Sequence, residues 1–251
     1  MTSSTTSPHL AARTLDPVVG LPNGPFRCIV ADPPWRTTTG PQWKSKDNGH
    51  KPLAYPVMSM DEIKALPVGD VADDAAHLFL WTTNILVRKA YEVAEAWGFK
   101  PSVLLTWAKN PLGMGLGDAF GITTEHVLFA HRGGLRPLRR VPTTWWNWKR
   151  GRHSAKPEAF QDMVETVSPG PRLELFARRA RPGWVTLGNE ADGLDMKDSL
   201  ILLAQGKHPW GSRSNGSAPG WRRRANTEHQ GRNPKLTLDA PSASVRIEEA
   251  P

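Results

Sequence analysis

Phe26-Arg27-Cys28-Ile29-Val30-Ala31-Asp32-Pro33-Pro34-Trp35 is the stretch on which the reading of this chain turns. Its first six residues are mostly apolar and rich in strand formers, which predicts a buried strand. Asp32 then precedes a proline and is biased to extended backbone, while Pro33 and Pro34 have fixed φ and no N–H to donate. A carboxylate, prolyl carbonyls and a large aromatic face are thereby gathered at the C-terminal end of a strand, where open α/β sheets bind ligands. Because the prolines donate nothing, the carbonyls of this loop are expected to point outward as unpaired acceptors.

A planar exocyclic amine such as adenine N6 carries two N–H donors, which the Asp32 carboxylate and the Pro33 carbonyl could accept together while Trp35 stacks on the ring. Both hydrogen bonds push electron density onto nitrogen and prepare it to attack an activated methyl group. No strong base is needed beforehand, since the ammonium product loses its proton readily. The same four letters also suit an ordinary turn followed by a core tryptophan.

Working outward, Ser59-Met60-Asp61-Glu62 fits a capping box that starts a short helix running to about Leu66. A strand at Leu78 to Trp81 leads into a helix, roughly Asn84 to Trp97, whose apolar positions Leu86, Ala90, Val93, Ala94 and Trp97 share one face before Gly98 ends it. Val103 to Trp107 and His126 to Ala130 read as strands. Pro157 suits the first turn of a helix patterned by Phe160, Met163, Val164 and Val167, and strands follow at Leu173 to Ala177 and Trp184 to Leu187. Strands alternating with helices indicate a doubly wound α/β sheet. Residues 1–24 have the composition of a flexible arm, 25–206 form the expected domain, and 207–251 read as a flexible tail, basic and then acidic.

The chain has 251 residues, a formal charge of +8 and a single cysteine, Cys28. One cysteine excludes an internal disulfide and a zinc site built on thiolates. The positive charge favours an acidic partner, of which nucleic acid is the simplest. No apolar run approaches the length of a membrane span, and the Ser/Thr/Pro-rich start lacks the hydrophobic segment of a secretory signal, so a cytoplasmic protein is expected. Eleven Trp against two Tyr is an unusual balance.

Seven blocks in order carry a resemblance: the tetrapeptide Asp32 to Trp35, then Tyr55 to Glu62, His77 to Thr83, Glu125 to Phe129, His153 to Glu158, Arg172 to Arg178, and Pro182 through Glu190. Over roughly residues 26 to 195 the chain resembles the DPPW-type adenine-N6 methyltransferases, the family of the catalytic subunit of the eukaryotic messenger-RNA methylation complex and of bacterial and phage DNA methyltransferases. The resemblance implies a Rossmann-like methyltransferase fold with permuted motif order, the catalytic block preceding the donor block. It implies S-adenosylmethionine as methyl donor, no metal, and Asp32, Pro33, Pro34 and Trp35 as the catalytic set. It also implies a donor site built from Lys156, Glu174, Arg178, Asn189 and Glu190, with Lys156 suited to the methionyl carboxylate and Arg178, Asn189 and Glu190 to the ribose hydroxyls. Eukaryotic members carry Gln where Glu190 stands. Gly113-Met114-Gly115-Leu116-Gly117 lacks a convincing strand-to-helix turn and reads as a loop.

For the acceptor, Tyr55 aligns with a family position near the target base, and Glu125 is given a similar place. His153 and Ser154 are expected to position Lys156. Arg36 opens a basic loop running to Lys51 beside the tetrapeptide. Arg132 to Arg152 holds seven Lys/Arg and no acidic residue, with Trp145, Trp146 and Trp148 interleaved. Cations there, Arg150 among them, would neutralise phosphates, and an exposed indole such as Trp145 would stack a base for roughly 1–3 kcal/mol, although three indoles in four residues imply that at least one turns inward. A base in a duplex would have to be flipped out to reach Asp32. The expected activity is methylation of adenine N6 in DNA by a stand-alone enzyme of prokaryotic or phage type. RNA methylation and a non-catalytic nucleic-acid-binding subunit are the alternatives, and the intact Asp32 counts against the second.

Overall fold

A computed structural model describes residues 24–36, 57–109, 119–151, 155–188 and 195–207. Its centre is the predicted strand, β1 (Phe26–Ala31), in which every residue but Arg27 is buried. Such a strand must be covered on both faces, and its pairing follows. Parallel partners flank it, β2 (Ala72–Thr82) on one side and β6 (Arg172–Leu175) on the other. Beyond them lie β3 (Lys100–Ala108), β4 (Thr124–Arg132), the two-residue β5 (Trp145–Trp146) and β7 (Trp184–Leu187), in the order β5-β3-β4-β2-β1-β6-β7. Only β4 runs antiparallel to its neighbours.

Alternation along β1 sorts the core into two layers. Ile29 and Ala31 join the layer formed with α1 (Met60–Lys64), α2 (Val68–Val71), α3 (Val87–Ala96) and α5 (Met196–Ala204). Cys28 and Val30 face the opposite layer, where α4 (Glu158–Val167) contributes Phe160 and Val164 against Phe79, Trp81, Trp107 and Trp184. Helices on both faces of a mostly parallel sheet make the Rossmann-like α/β architecture that the sequence pattern implies. The chain builds β2 on one side of β1 and returns to build β6 on the other, so the C-terminal end of β1 is the topological switch point, the usual crevice for a ligand.

Local signals hold where they are strong. Ser59 and Glu62 form the reciprocal capping box of α1, and Glu62 accepts the Ser59 N–H at 2.6 Å. Leu86, Ala90, Val93, Ala94 and Trp97 are all buried, and Gly98, with φ +82°, ends α3. Trp97 donates its indole N–H to the Ile63 carbonyl at 2.9 Å, tying α3 to α1. Cys28 is sealed in the core, and burial pushes its thiol up to about 12, which leaves it inert near neutral pH. Buried His77 is satisfied on both nitrogens, by Ser168 Oγ at 2.8 Å and the Leu135 carbonyl at 3.2 Å.

Several boundaries differ from expectation, among them β3, which starts three residues early at Lys100, and β4, which runs two residues further at each end. Pro157 stands as the N-cap of α4 rather than in its first turn. β2 begins six residues early, at Ala72, which pairs with Phe26, and polar Asp73 and Asp74 fall in the irregular stretch before pairing resumes at Ala76. β6 stops at Leu175 because Phe176 takes φ +62°, a left-handed conformation that no strand continues.

At the far end of β4, Gly133 has φ +60°, and a Cβ there would lie 2.3 Å from the Asp74 carbonyl oxygen, whereas Gly134 has open space around it. Gly133→Ala should therefore destabilise the fold by about 1–3 kcal/mol and lower Tm. Gly134→Ala should change little, and equal melting of the two variants would contradict this account of the turn.

Candidate active site

Asp32 leaves β1 on the same side as Cys28 and Val30, so its carboxylate emerges on the α4 face of the sheet at the switch point. Lys156 sits two residues before α4 and reaches the same place. Its Nζ lies 3.2 Å from Asp32 Oδ1 and 2.8 Å from Glu125 Oε2, and 4.7 Å from the centroid of the Trp81 ring beneath. The other oxygen of Glu125 pairs with Lys109 at 2.7 Å. Four charges of alternating sign, Asp32, Lys156, Glu125 and Lys109, therefore line the ends of β1, β4 and β3. Glu125 can take part because β4 is antiparallel, which brings the start of that strand, rather than its end, to the ligand crevice.

Burial dominates the electrostatics and the lysines decide its sign. Desolvation raises the Asp32 carboxyl above the ordinary aspartate range, Lys156 opposes this, and Glu125 adds to it. Its side chain keeps 31% of its accessible surface, so the desolvation is partial. Burial would also raise Glu125, but Lys156 and Lys109 together overcome it and hold that carboxyl below its usual value. Burial would lower Lys156, and the two carboxylates reverse this and hold its ammonium above the ordinary lysine range. Glu125 is the firm anion of the group; Asp32 is the one whose charge responds to what binds beside it.

The loop itself corrects one expectation. The Pro33 carbonyl accepts the Trp35 N–H at 2.8 Å and the Pro34 carbonyl accepts the Met58 N–H at 2.9 Å, so neither is an unpaired acceptor. The chain folds back on itself after the prolines, and the residues that do carry N–H groups find those oxygens first. One lone pair on the Pro33 oxygen remains for a ligand. Trp35 is half-buried, and its indole N–H is bound to the Trp81 carbonyl at 3.0 Å. It fixes the loop to the end of β2, and any stacking is limited to the ring surface left outside. Exposed Arg36 is anchored by its N–H to the Met58 carbonyl, with its charge near Glu62.

On the donor side, Glu174 lies on β6 beside Val30 and Thr186, in mid-sheet. Burial pushes its carboxyl up to about 7, against the hydrogen bond from Gln161 at 2.6 Å and the charge of Arg179. The positive φ of Phe176 turns the chain sharply. Ala177 then donates to the Leu187 carbonyl at 2.8 Å, and a Cβ on Gly188 would meet the Ala177 oxygen at 2.3 Å. This backbone contact holds the ends of β6 and β7 together and places Arg178 where its charge is felt at Asp32. A donor bearing a sulfonium, an ammonium and a carboxylate calls for anions and a cation at one strand edge. Asp32, Glu174 and Arg178 provide them, so the residues present fit S-adenosylmethionine. Lys156, expected at the donor carboxylate, is engaged instead with Asp32 and Glu125.

On the acceptor side, a cleft beside Asp32 is lined by Trp107, Lys109, Glu125, Arg150 and Lys156. Arg150 is thus brought to the site. Trp145 is not: it pairs with Thr106 on β3, whereas its neighbour Trp146 pairs with Trp107, so Trp145 belongs to the opposite face of the sheet, where it is 49% exposed. Trp146 and Trp148 stack on each other at 4.9 Å, and Trp148 packs inward and accepts the Trp107 N–H on its carbonyl at 2.9 Å. Tyr55, His153, Ser154, Asn189, Glu190, the glycine-rich 113–117, the loop 37–51 and, apart from Gly24 and Lys207, both expected tails lie outside the described residues. Among the described residues there is no His/Cys/Asp/Glu cluster suited to a metal, and no helix is long and apolar enough to cross a membrane. Sequence reasoning missed Trp81, Lys109 and Gln161. Trp81 and Lys109 were findable, since each lies at even spacing from a residue on the α4 face.

Removing the central cation should expose the cost of two facing carboxylates. Lys156→Met is expected to lose about 2–3 kcal/mol at pH 7, less than for a fully buried pair because these side chains keep part of their exposure. Glu125, held low in the folded chain, adds stability above its unfolded value that is lost as pH falls through the folded one. In the variant burial is opposed less and the two carboxyls rise, so taking up a proton relieves them, and the difference between variant and wild type should shrink as pH falls into the carboxylate range in urea unfolding. A deficit independent of pH would refute the arrangement.

Known proteins resemble this chain over the same region. The MT-A70 family matches residues 26–190. The N(6)-adenosine-methyltransferase MT-A70-like protein of Drosophila melanogaster is 31% identical over 209 residues, covering 75% of this chain and 31% of its own length. The human N(6)-adenosine-methyltransferase catalytic subunit METTL3 is 29% identical over 198 residues, with 71% and 30% covered. The mouse N(6)-adenine-specific methyltransferase METTL4 is 26% identical over 200 residues, with 72% and 41% covered. The chain thus spans well under half the length of these relatives. With the matched region running from the first residue of β1 past the end of β7, and Asp32 at the switch point within it, this chain belongs to the MT-A70 family of S-adenosylmethionine-dependent methyltransferases.

Proposed function

We propose that this protein transfers a methyl group from S-adenosylmethionine to the exocyclic N6 of adenine in nucleic acid. The observation that carries this reading is the Asp32 carboxylate, placed at the switch point between an acceptor cleft with three cations and a donor edge bearing Glu174 and Arg178. When bound, the donor supplies an electrophilic methyl on a sulfonium. Asp32 accepts an N6–H and raises electron density on nitrogen. The remaining lone pair of Pro33 O takes the second N–H, and the ring of Trp35, fixed by Trp81, borders the amine. Lys156 keeps Asp32 ionised and oriented while Glu125 fixes Lys156. As the N–C bond forms and the methyl–sulfur bond breaks, the pair staying on sulfur as a neutral thioether, the nitrogen would bear a positive charge and shed a proton, for which Asp32 is the nearest acceptor.

DNA is the acceptor we assign first. It rests on the sequence reading, in which the chain looks like the stand-alone prokaryotic or phage members. RNA is the second reading, favoured by relatives: the fly and human proteins are named for adenosine, the ribonucleoside, and both, like the mouse protein, are eukaryotic. In either case Arg150 and Lys109 would meet backbone phosphates near the flipped or single-stranded base. A non-catalytic role is disfavoured by an intact Asp32 held by its own lysine.

The test is methyl transfer from labelled donor to matched adenine-containing DNA and RNA strands. Label should enter N6 of adenine, and Asp32→Asn should lower the rate by about 10²–10³-fold at saturating donor in a chain that melts like the wild type. Because Asp32 must be ionised and its carboxyl sits above the usual range, the rate should fall as pH drops through that raised value. Equal transfer by Asp32→Asn, or no transfer to either nucleic acid, would sink the proposal.

A further inference from the structure

Between β6 and β7 the chain carries three arginines in four residues, Arg178, Arg179 and Arg181. Two of them turn onto α4. Arg179 pairs with Glu158 at 2.5 Å, and Arg181 pairs with Asp162 at 2.6 Å and Glu165 at 2.8 Å, while the indole N–H of Trp184 bonds the same Glu165 oxygen at 2.7 Å. Glu158, Asp162 and Glu165 lie at i, i+4 and i+7, which puts all three acids on one side of the helix. In their midst is Gln161, only 4% exposed.

The hydrogen bonds of Gln161 have only one consistent orientation. Arg179 Nη2 and Arg181 Nη1 approach one end of its amide, at 3.2 and 3.5 Å, and guanidinium nitrogens donate only, so that end is the carbonyl oxygen. The NH₂ must then point the other way, and there it donates to Glu174 Oε2 at 2.6 Å. Gln161 thus joins the turn that carries Arg178 to the carboxylate on the neighbouring strand. Glu174 stands in register with Val30, one strand from Asp32, and without Gln161 its carboxylate would be free to rotate about its side-chain bonds.

We infer that Gln161, held by Arg179 and Arg181, is a positioning residue that sets Glu174 for the methyl donor. This rests on the proposed function above and adds to it α4 as the outer wall of the donor site. The inference concerns donor binding, not the amine at Asp32. The groups facing Glu174 are Gln161 on α4, Arg179 and Arg181 on the turn and Asp32 at the end of β1; the first three stabilise its anion and Asp32 opposes it.

Gln161→Leu keeps the volume and removes both hydrogen-bonding ends, and Gln161→Glu keeps the arginine contacts but turns an oxygen towards Glu174. Donor binding by calorimetry, donor KM, acceptor KM and kcat would be measured for both, with melting curves to establish that each is folded. Each variant should raise the donor Kd and KM about tenfold, the equivalent of one lost charge-assisted hydrogen bond, with far smaller effects on acceptor KM and kcat. The wild-type donor affinity should inflect near pH 7, where Glu174 titrates, and in Gln161→Leu that inflection should move upward, because the lost hydrogen bond had favoured the anion. A purely structural glutamine would not move it. Folded variants that bind the donor as tightly as the wild type, with an unshifted pH profile, would overturn the positioning role alone. A wild-type chain that binds no donor would overturn the functional reading and this inference with it.

Discussion

A lysine ammonium shared between two carboxylates is the interaction around which the site is arranged. Without Lys156, Asp32 and Glu125 would face each other across a partly desolvated crevice, and at least one would have to take up a proton. With it, the pair becomes a chain of alternating charge that continues to Lys109 and is floored by the Trp81 ring. The sheet makes this possible by delivering each member from a different strand or helix end. β1 and β3 bring Asp32 and Lys109 as they finish, β4 brings Glu125 as it starts, and α4 brings Lys156 just before it begins.

The division of labour between the two sides of Asp32 follows from the same geometry. Towards β2, β4 and β3 the charges are cationic around one firm carboxylate, which suits a base attached to a phosphate backbone. Towards β6 and β7 lie a carboxyl that titrates near neutrality and an arginine on a strained turn, which suits a small zwitterionic ligand with an extra positive charge. Asp32 stands between the two sides, at the point where the sheet reverses its building direction, which in open α/β sheets is the usual crevice for a ligand.

What could be read in the sequence was local. The buried run before Asp32, the capping box at Ser59, the apolar stripe ended by Gly98 and the pattern after Pro157 each depend on residues within a turn or two, and each element is present. α2, β5 and α5 were not foreseen. The first two are very short, and α5 has apolar residues on most of its circumference, which removes the stripe by which an amphipathic helix is recognised. In the site, the residue types were legible and the partners were not. Nothing near Lys156 in the chain says that its charge is taken by Asp32, and nothing near Trp145 says that one residue of alternation puts it on the far face from Asp32. Pro33 shows the limit in the other direction: a loop that donates little was still folded so that its carbonyls were used.

The antiparallel entry of β4 also bears on how the molecule becomes competent. Asp32, Glu125, Lys156 and Glu174 are scattered over most of the described chain, and the first and last of them stand on strands that become neighbours only after everything between them has been made. Closing such contacts carries a large loop entropy that local structure does not offset, which makes folding slow compared with a helical protein of similar size. A nascent or partly unfolded chain therefore holds its carboxylates and its cations in separate places. Glu174 and the turn that bears Arg178 reach the flank of Asp32 only when β6 and β7 complete the sheet, so the two sides of the crevice are brought together by the last strands of the fold.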